Sequence, residues 1–167
     1  MSVQRYRLDD LGWQLFEALC QSILINKFAV GVQAWGGTGD WGRDAFFRGS
    51  LSIPDAGHET ERTFVFQSKF VENANAAGAK PFAALSKAVR SEIERLRHRG
   101  EPDCFVLITN VTFSADLRTS IEALLSAAHP NATVVTWALL KYQHSSMGCP
   151  TSAARSRCSC RFGIFEP

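Results

Sequence analysis

Two stretches decide the reading of this chain: Gly36-Gly37-Thr38-Gly39-Asp40-Trp41-Gly42-Arg43-Asp44 and Phe64-Val65-Phe66-Gln67-Ser68-Lys69-Phe70. The second has the apolar character of a buried strand, interrupted by Gln67 and Lys69 two residues apart. Alternate side chains of a strand share a face, so these two polar groups project together. The first is a glycine-rich turn that delivers Asp44 to the start of another apolar stretch. A carboxylate and an amide oxygen suit a hard divalent cation. An ammonium beside them suits an anionic reacting group.

Working outward, residues 8–27 read as an amphipathic helix, with Asp9 or Asp10 as its cap. Its apolar stripe comprises Leu11, Leu15, Phe16, Leu19, Ile23 and Leu24, and Glu17 lies close to that stripe. Residues 29–35, 43–48 and 63–70 read as three strands of an antiparallel meander, with a polar hairpin loop at 49–62. A loop at 71–80 precedes a helix at 81–98, closed by Gly100. Residues 104–109 form a continuous apolar run typical of a buried strand. A helix from Ser114 or Ala115 to about Ala128 follows, then a turn at Pro130-Asn131 and a strand at 132–138. The order is α-β-β-β-α-β-α-β, an α/β domain with a central mixed sheet flanked by helices.

The combination resembles the restriction endonuclease-like superfamily, the PD-(D/E)xK nucleases, and within it the Mrr-type branch. Gly39-Asp40-x-Gly42-x-Asp44 matches the aspartate motif, Gln67-x-Lys69 the lysine motif with Gln at the third acidic position, and Phe16-Glu17-x-Leu19 the helix glutamate. The resemblance covers residues 6–140 or so, and the 23-residue step from Asp44 to Gln67 fits it. It implies an αβββαβ core with an extra C-terminal helix and strand. The implied activity is hydrolysis of DNA phosphodiester bonds with Mg²⁺, or Mn²⁺ in its place, in defence against foreign DNA. The implied roles are Asp44, Gln67 and Glu17 as metal ligands and Lys69 as the group beside the attacking water and the phosphate. Alanine at Asp44 or Lys69 is then expected to abolish cutting and leave the fold intact. DNA, a homodimeric partner and a fused or separate sensor module are the implied partners. The alternative is a nuclease-fold domain that binds nucleic acid or a protein without cutting.

Composition bounds this reading. The chain has 167 residues, 46% hydrophobic and 20% charged, enough for one domain with a core. There is no apolar run of membrane-spanning length and no apolar signal region at the N-terminus, so a cytoplasmic protein is the expectation. Net charge is +2, but residues 1–144 hold 15 basic and 15 acidic residues. Contact with DNA therefore needs local clustering, and Lys87, Arg90, Arg95, Arg97, His98 and Arg99 are the candidate cluster. The same residues also read as a solvated helix face.

Residues 145–167 are rich in Ser, Cys and Arg without a period, and read as a tail outside a domain at 1–144. Five cysteines without a secretion signal argue against structural disulfides, and Cys20 and Cys104 read as small core residues. Cys149, Cys158 and Cys160 with His144 lack the spacing of a zinc knuckle. Gly37 to Gly42 fits G-x-G-x-x-G literally, but the residues that follow favour a strand, whereas a dinucleotide site needs a helix there.

Overall fold

In a computed structural model, the structure describes residues 4–6, 8–28, 32–34, 44–50, 61–74, 80–96, 102–144 and 162–164. The chain enters as a short strand, β1 (Gln4–Tyr6), and a 3-10 turn at Leu8–Asp10. The first helix, α1, spans Gly12–Phe28. Gly12 takes φ 71°, a left-handed conformation that a side chain would strain, so the glycine separates turn from helix. Asp9 and Asp10 consequently lie in the turn, and the helix starts beyond them. Its buried face is Phe16, Cys20, Ile23 and Leu24, while Leu15 is 60% exposed. The expected stripe holds except at Leu15: Phe16, Ile23 and Leu24 are buried, and Leu11 and Leu19 pack, partly buried, against the same core. The i, i+4, i+7, i+8 set that begins at Phe16 takes Cys20 inward, and Leu15, about 100° away from Phe16, falls outside it.

Strands β2 (Gln33–Ala34), β3 (Ala45–Gly49) and β4 (Arg62–Lys69) pair antiparallel in sequence, as the meander requires. Helix α2 (Lys80–Leu96) then crosses to β5 (Cys104–Thr109), and helix α3 (Ala115–Ala128) crosses to β6 (Thr133–His144). Both β4–β5 and β5–β6 are parallel. Ser114 caps α3, its side chain accepting the N–H of Leu117 at 3.3 Å.

Among the described residues the sheet runs β1-β6-β5-β4-β3-β2, with β7 (Phe162–Ile164) also paired to β6. The first half of β6 pairs with β5, and its last residues pair with β1 and β7. That strand extends six residues beyond the expected end at 138. Of the expected tail, Phe162–Ile164 joins the sheet, and the remainder lies outside the described residues.

The result is an α/β fold in which helices cover both faces of a mixed sheet. On one face α1 packs Phe16, Cys20, Ile23 and Leu24 on Phe64, Phe66, Val106 and Trp137. On the other, α2 brings Leu85, Val89 and Ile93 and α3 brings Leu117, Ile121 and Leu125 onto Val65, Phe105 and Leu107. Every residue of β5 is buried, as its unbroken apolar run requires of a central parallel strand. Fully burying side chains such as Phe66 and Phe105 stabilises the fold by about 1.5–3 kcal/mol each.

Candidate active site

The alternation of β4 decides which groups meet. Phe64 and Phe66 enter the core under α1, so Ser68 follows them toward that side. Val65 faces α2 and α3, and Gln67 and Lys69 follow it. In the parallel ladder Gln67 stands beside Leu107 and Lys69 beside Thr109. All lie at the C-terminal ends of the parallel strands, the end at which open α/β sheets bind ligands.

Asp44 arrives at this end from β3. The register pairs Ala45 with Phe66, and the Asp44 N–H donates to the Phe66 carbonyl at 3.1 Å. The Asp44 carboxylate turns toward Ser68: its Oδ2 accepts both the backbone N–H and the hydroxyl of that residue. Helix α1 supplies Glu17, Cys20 and Gln21, spaced i, i+3, i+4 on one face. The Gln21 amide donates to Glu17 Oε1 and to the Asp44 carbonyl, each at 3.3 Å. Burial pushes the Cys20 thiol well above the usual range, and the negative charges of Asp44 and Glu17 push it further. One buried thiol therefore feels both carboxylates, which places Glu17 and Asp44 in the same electrostatic neighbourhood.

On the other side of β4, Gln67 is 1% exposed. The Lys69 ammonium meets Glu92 Oε2 of α2 at 2.8 Å, and Glu92 is itself buried. The backbone here is held by side chains. Thr109 Oγ1 donates to the Lys69 carbonyl at 2.7 Å. Asn110 accepts the Val71 N–H and donates to the Val71 carbonyl, both at 2.9 Å, and also donates to Asp9 at 3.3 Å.

The structure thus joins Glu17 to Asp44 on the α1 side and sets Gln67 with Lys69 on the α2 side, the two pairs flanking the end of one strand. The three oxygens expected to ligate one ion are therefore split: the Asp44 and Glu17 carboxylates lie on the α1 side of β4 and the Gln67 amide, 1% exposed, on the other. Among the described residues no group of three or more His, Cys, Asp or Glu side chains is arranged to hold a metal ion. The glycine turn at 36–43, Arg43 within it and the cysteines after His144 lie outside the described residues. Of the basic cluster, Lys87 and Arg90 are exposed on α2, and the side chains of the others lie outside the described residues.

Reading the sequence missed Gln21 and Glu92; of Ser68 it offered only the carbonyl, as a further metal ligand, whereas the N–H and hydroxyl of that residue donate to Asp44. Glu92 carried a signal: it sits three residues after Val89 and next to Ile93, on an otherwise apolar stripe. Gln21 carried none, since a helix glutamine is an ordinary residue in an ordinary place.

No helix among the described residues is long and apolar enough to cross a membrane. No protein-family model, curated protein or solved structure matches the chain.

Proposed function

We propose that this chain is a Mg²⁺-dependent endonuclease that hydrolyses DNA phosphodiester bonds, built on a restriction endonuclease-like core and acting in defence against foreign DNA. The observation that carries the reading is the gathering of Asp44, Glu17, Gln67 and Lys69 around the end of β4 by three different elements. The Asp44 and Glu17 carboxylates, on the α1 side of β4, would hold the ion, and Gln67, buried on the other side, would not join them. When bound, it supplies Lewis-acid polarisation of a phosphate oxygen. Ser68 orients the Asp44 carboxylate through two donors, and Gln21 ties α1 to the chain at Asp44. The Lys69 ammonium offsets charge that develops on the phosphate as water attacks. DNA reaches the site along the exposed Lys87 and Arg90 face of α2.

The test is plasmid cleavage by the purified protein with Mg²⁺, Mn²⁺ or EDTA, beside Lys69→Ala. Metal-dependent nicking or linearisation that disappears in the variant is the expected result. Absence of cutting with any metal, from folded protein, refutes the reading.

The burial of Gln67 favours a second reading, a domain of the same fold that binds nucleic acid or a protein partner without cutting. That domain would retard DNA in a salt-sensitive manner and leave supercoiled plasmid intact in Mg²⁺.

A further inference from the structure

We propose that Glu92 is a positioning residue of this site, fixing the ammonium of Lys69 at the end of β4 from the opposite layer. Its placement stands on geometry alone, and its effect on catalysis rests on the nuclease reading above.

Glutamate is rarely buried without a partner. Glu92 is 5% exposed, on the inward side of a helix that also turns Leu85, Val89 and Ile93 inward. A buried ion pair contributes no more stability than apolar residues of similar volume. Stability therefore gives no reason for a lysine on the strand to face a glutamate on α2. Placement does. A lysine side chain has large rotamer freedom, and a site that needs its charge at one point must remove that freedom beforehand.

Here both ends of Lys69 are held: its carbonyl by the Thr109 hydroxyl at 2.7 Å and its ammonium by Glu92 at 2.8 Å. The burial is asymmetric. The Glu92 side chain is 7% exposed and that of Lys69 is 20% exposed, so the carboxylate backs the ammonium from inside while the ammonium keeps a face toward solvent.

Two measurements on the full chain test this. The first is acylation of lysines by an amine-reactive ester at low stoichiometry, read by mass spectrometry against the exposed Lys80 and Lys87. Lys69 is expected to label slowly in the wild type and several-fold faster in Glu92→Gln. Equal labelling in the two proteins overturns the placement, whether or not the protein cuts DNA.

The second is the rate of metal-dependent plasmid nicking at saturating DNA. Glu92→Gln is expected to slow it roughly tenfold to a hundredfold with KM unchanged. Glu92→Asp, which keeps the charge on a shorter arm, is expected to recover part of the loss. A purely structural glutamate would change the unfolding midpoint and leave the rate per folded molecule alone.

If the wild type cuts, Lys69→Ala does not, and Glu92→Gln cuts at the wild-type rate, the positioning role is overturned and the nuclease reading stands. If folded wild-type protein does not cut, the nuclease reading falls. Lys69 protected in the wild type and released in Glu92→Gln would then still support the placement.

Discussion

The two ends of β4 carry the same device in different company. At its start, Asp103 Oδ2 accepts the Thr63 N–H and the Thr63 hydroxyl, each at 2.7 Å. At its end, Asp44 Oδ2 accepts the Ser68 N–H and the Ser68 hydroxyl. A buried cysteine lies beside each aspartate, Cys104 at the start and Cys20 at the end. At the start, the neighbouring charge is Arg62, which offsets Asp103, and burial pushes the Cys104 thiol up to about 11. At the end, Glu17 adds a second negative charge near Asp44, with Gln67, Lys69 and Glu92 on the far side of the strand.

The first cluster is self-contained. The Asp103 N–H donates back to Thr63 Oγ1, and its carbonyl accepts the Thr133 N–H, so it stitches β4, β5 and β6 together. The second sets the Asp44 and Glu17 carboxylates around one buried thiol. A carboxylate clamped to a strand marks no site by itself.

The largest expected difference between the two ends is in activity. Asp44→Asn should lower metal-dependent nicking on the order of a thousandfold. Asp103→Asn should leave the rate per folded molecule unchanged. Parallel plasmid assays on the two variants check this, and equal losses would erase the distinction between the ends.

A second difference is in stability. Lys69→Ala takes the ammonium away from a buried glutamate, which should destabilise the fold by about 3 kcal/mol. The expectation from sequence that this substitution leaves the fold intact is therefore revised. Adding Glu92→Leu should restore part of the loss, because the buried carboxylate goes with it. Urea unfolding of the single and double variants separates the lysine's chemistry from its role in the fold. Next in size is Asn110→Ala, which removes two bonds to the Val71 backbone in a buried setting. It should cost about 2 kcal/mol by the same measurement.

How much of this was legible in the sequence depended on range. β5 and α3 could be bounded within a residue, because an unbroken apolar run and a serine cap are local signals. The antiparallel meander followed from the turns between its strands. β1 and β7 were missed, since three-residue strands become strands only by pairing with the far half of β6. Of the candidate site, Asp44, Gln67 and Lys69 could be nominated by residue type and spacing, and Glu17 only through the family resemblance. That Gln67 is buried, and that Glu92 meets Lys69, depends on how α2 docks on the sheet. No spacing within the chain encodes that docking. The exclusion of Leu15 from the inward face of α1 has the same origin: a leucine one residue before Phe16 is acceptable on that stripe, and how the helix sits on the sheet leaves it exposed.

The smallest effect sharpens the contrast from the structural end. The Thr63 N–H and hydroxyl hold the Asp103 carboxyl below its usual value of 3.8, with Arg62 adding to the effect. The ionised form is thus favoured in the folded protein relative to the unfolded chain. Its contribution is fully present above the unfolded value and is lost as pH falls through the lowered folded value. Wild type should therefore exceed Asp103→Asn in stability by a constant, small margin from neutral pH down to about 4, and the margin should close below that. Urea midpoints measured for both proteins down to pH 2 would trace it. A margin that persisted at pH 2 would mean that Thr63 holds the neutral side chain as well as the charged one. The stitch at the start of β4 would then be a matter of hydrogen-bond geometry alone, and only the end of the strand would use the charge of its aspartate.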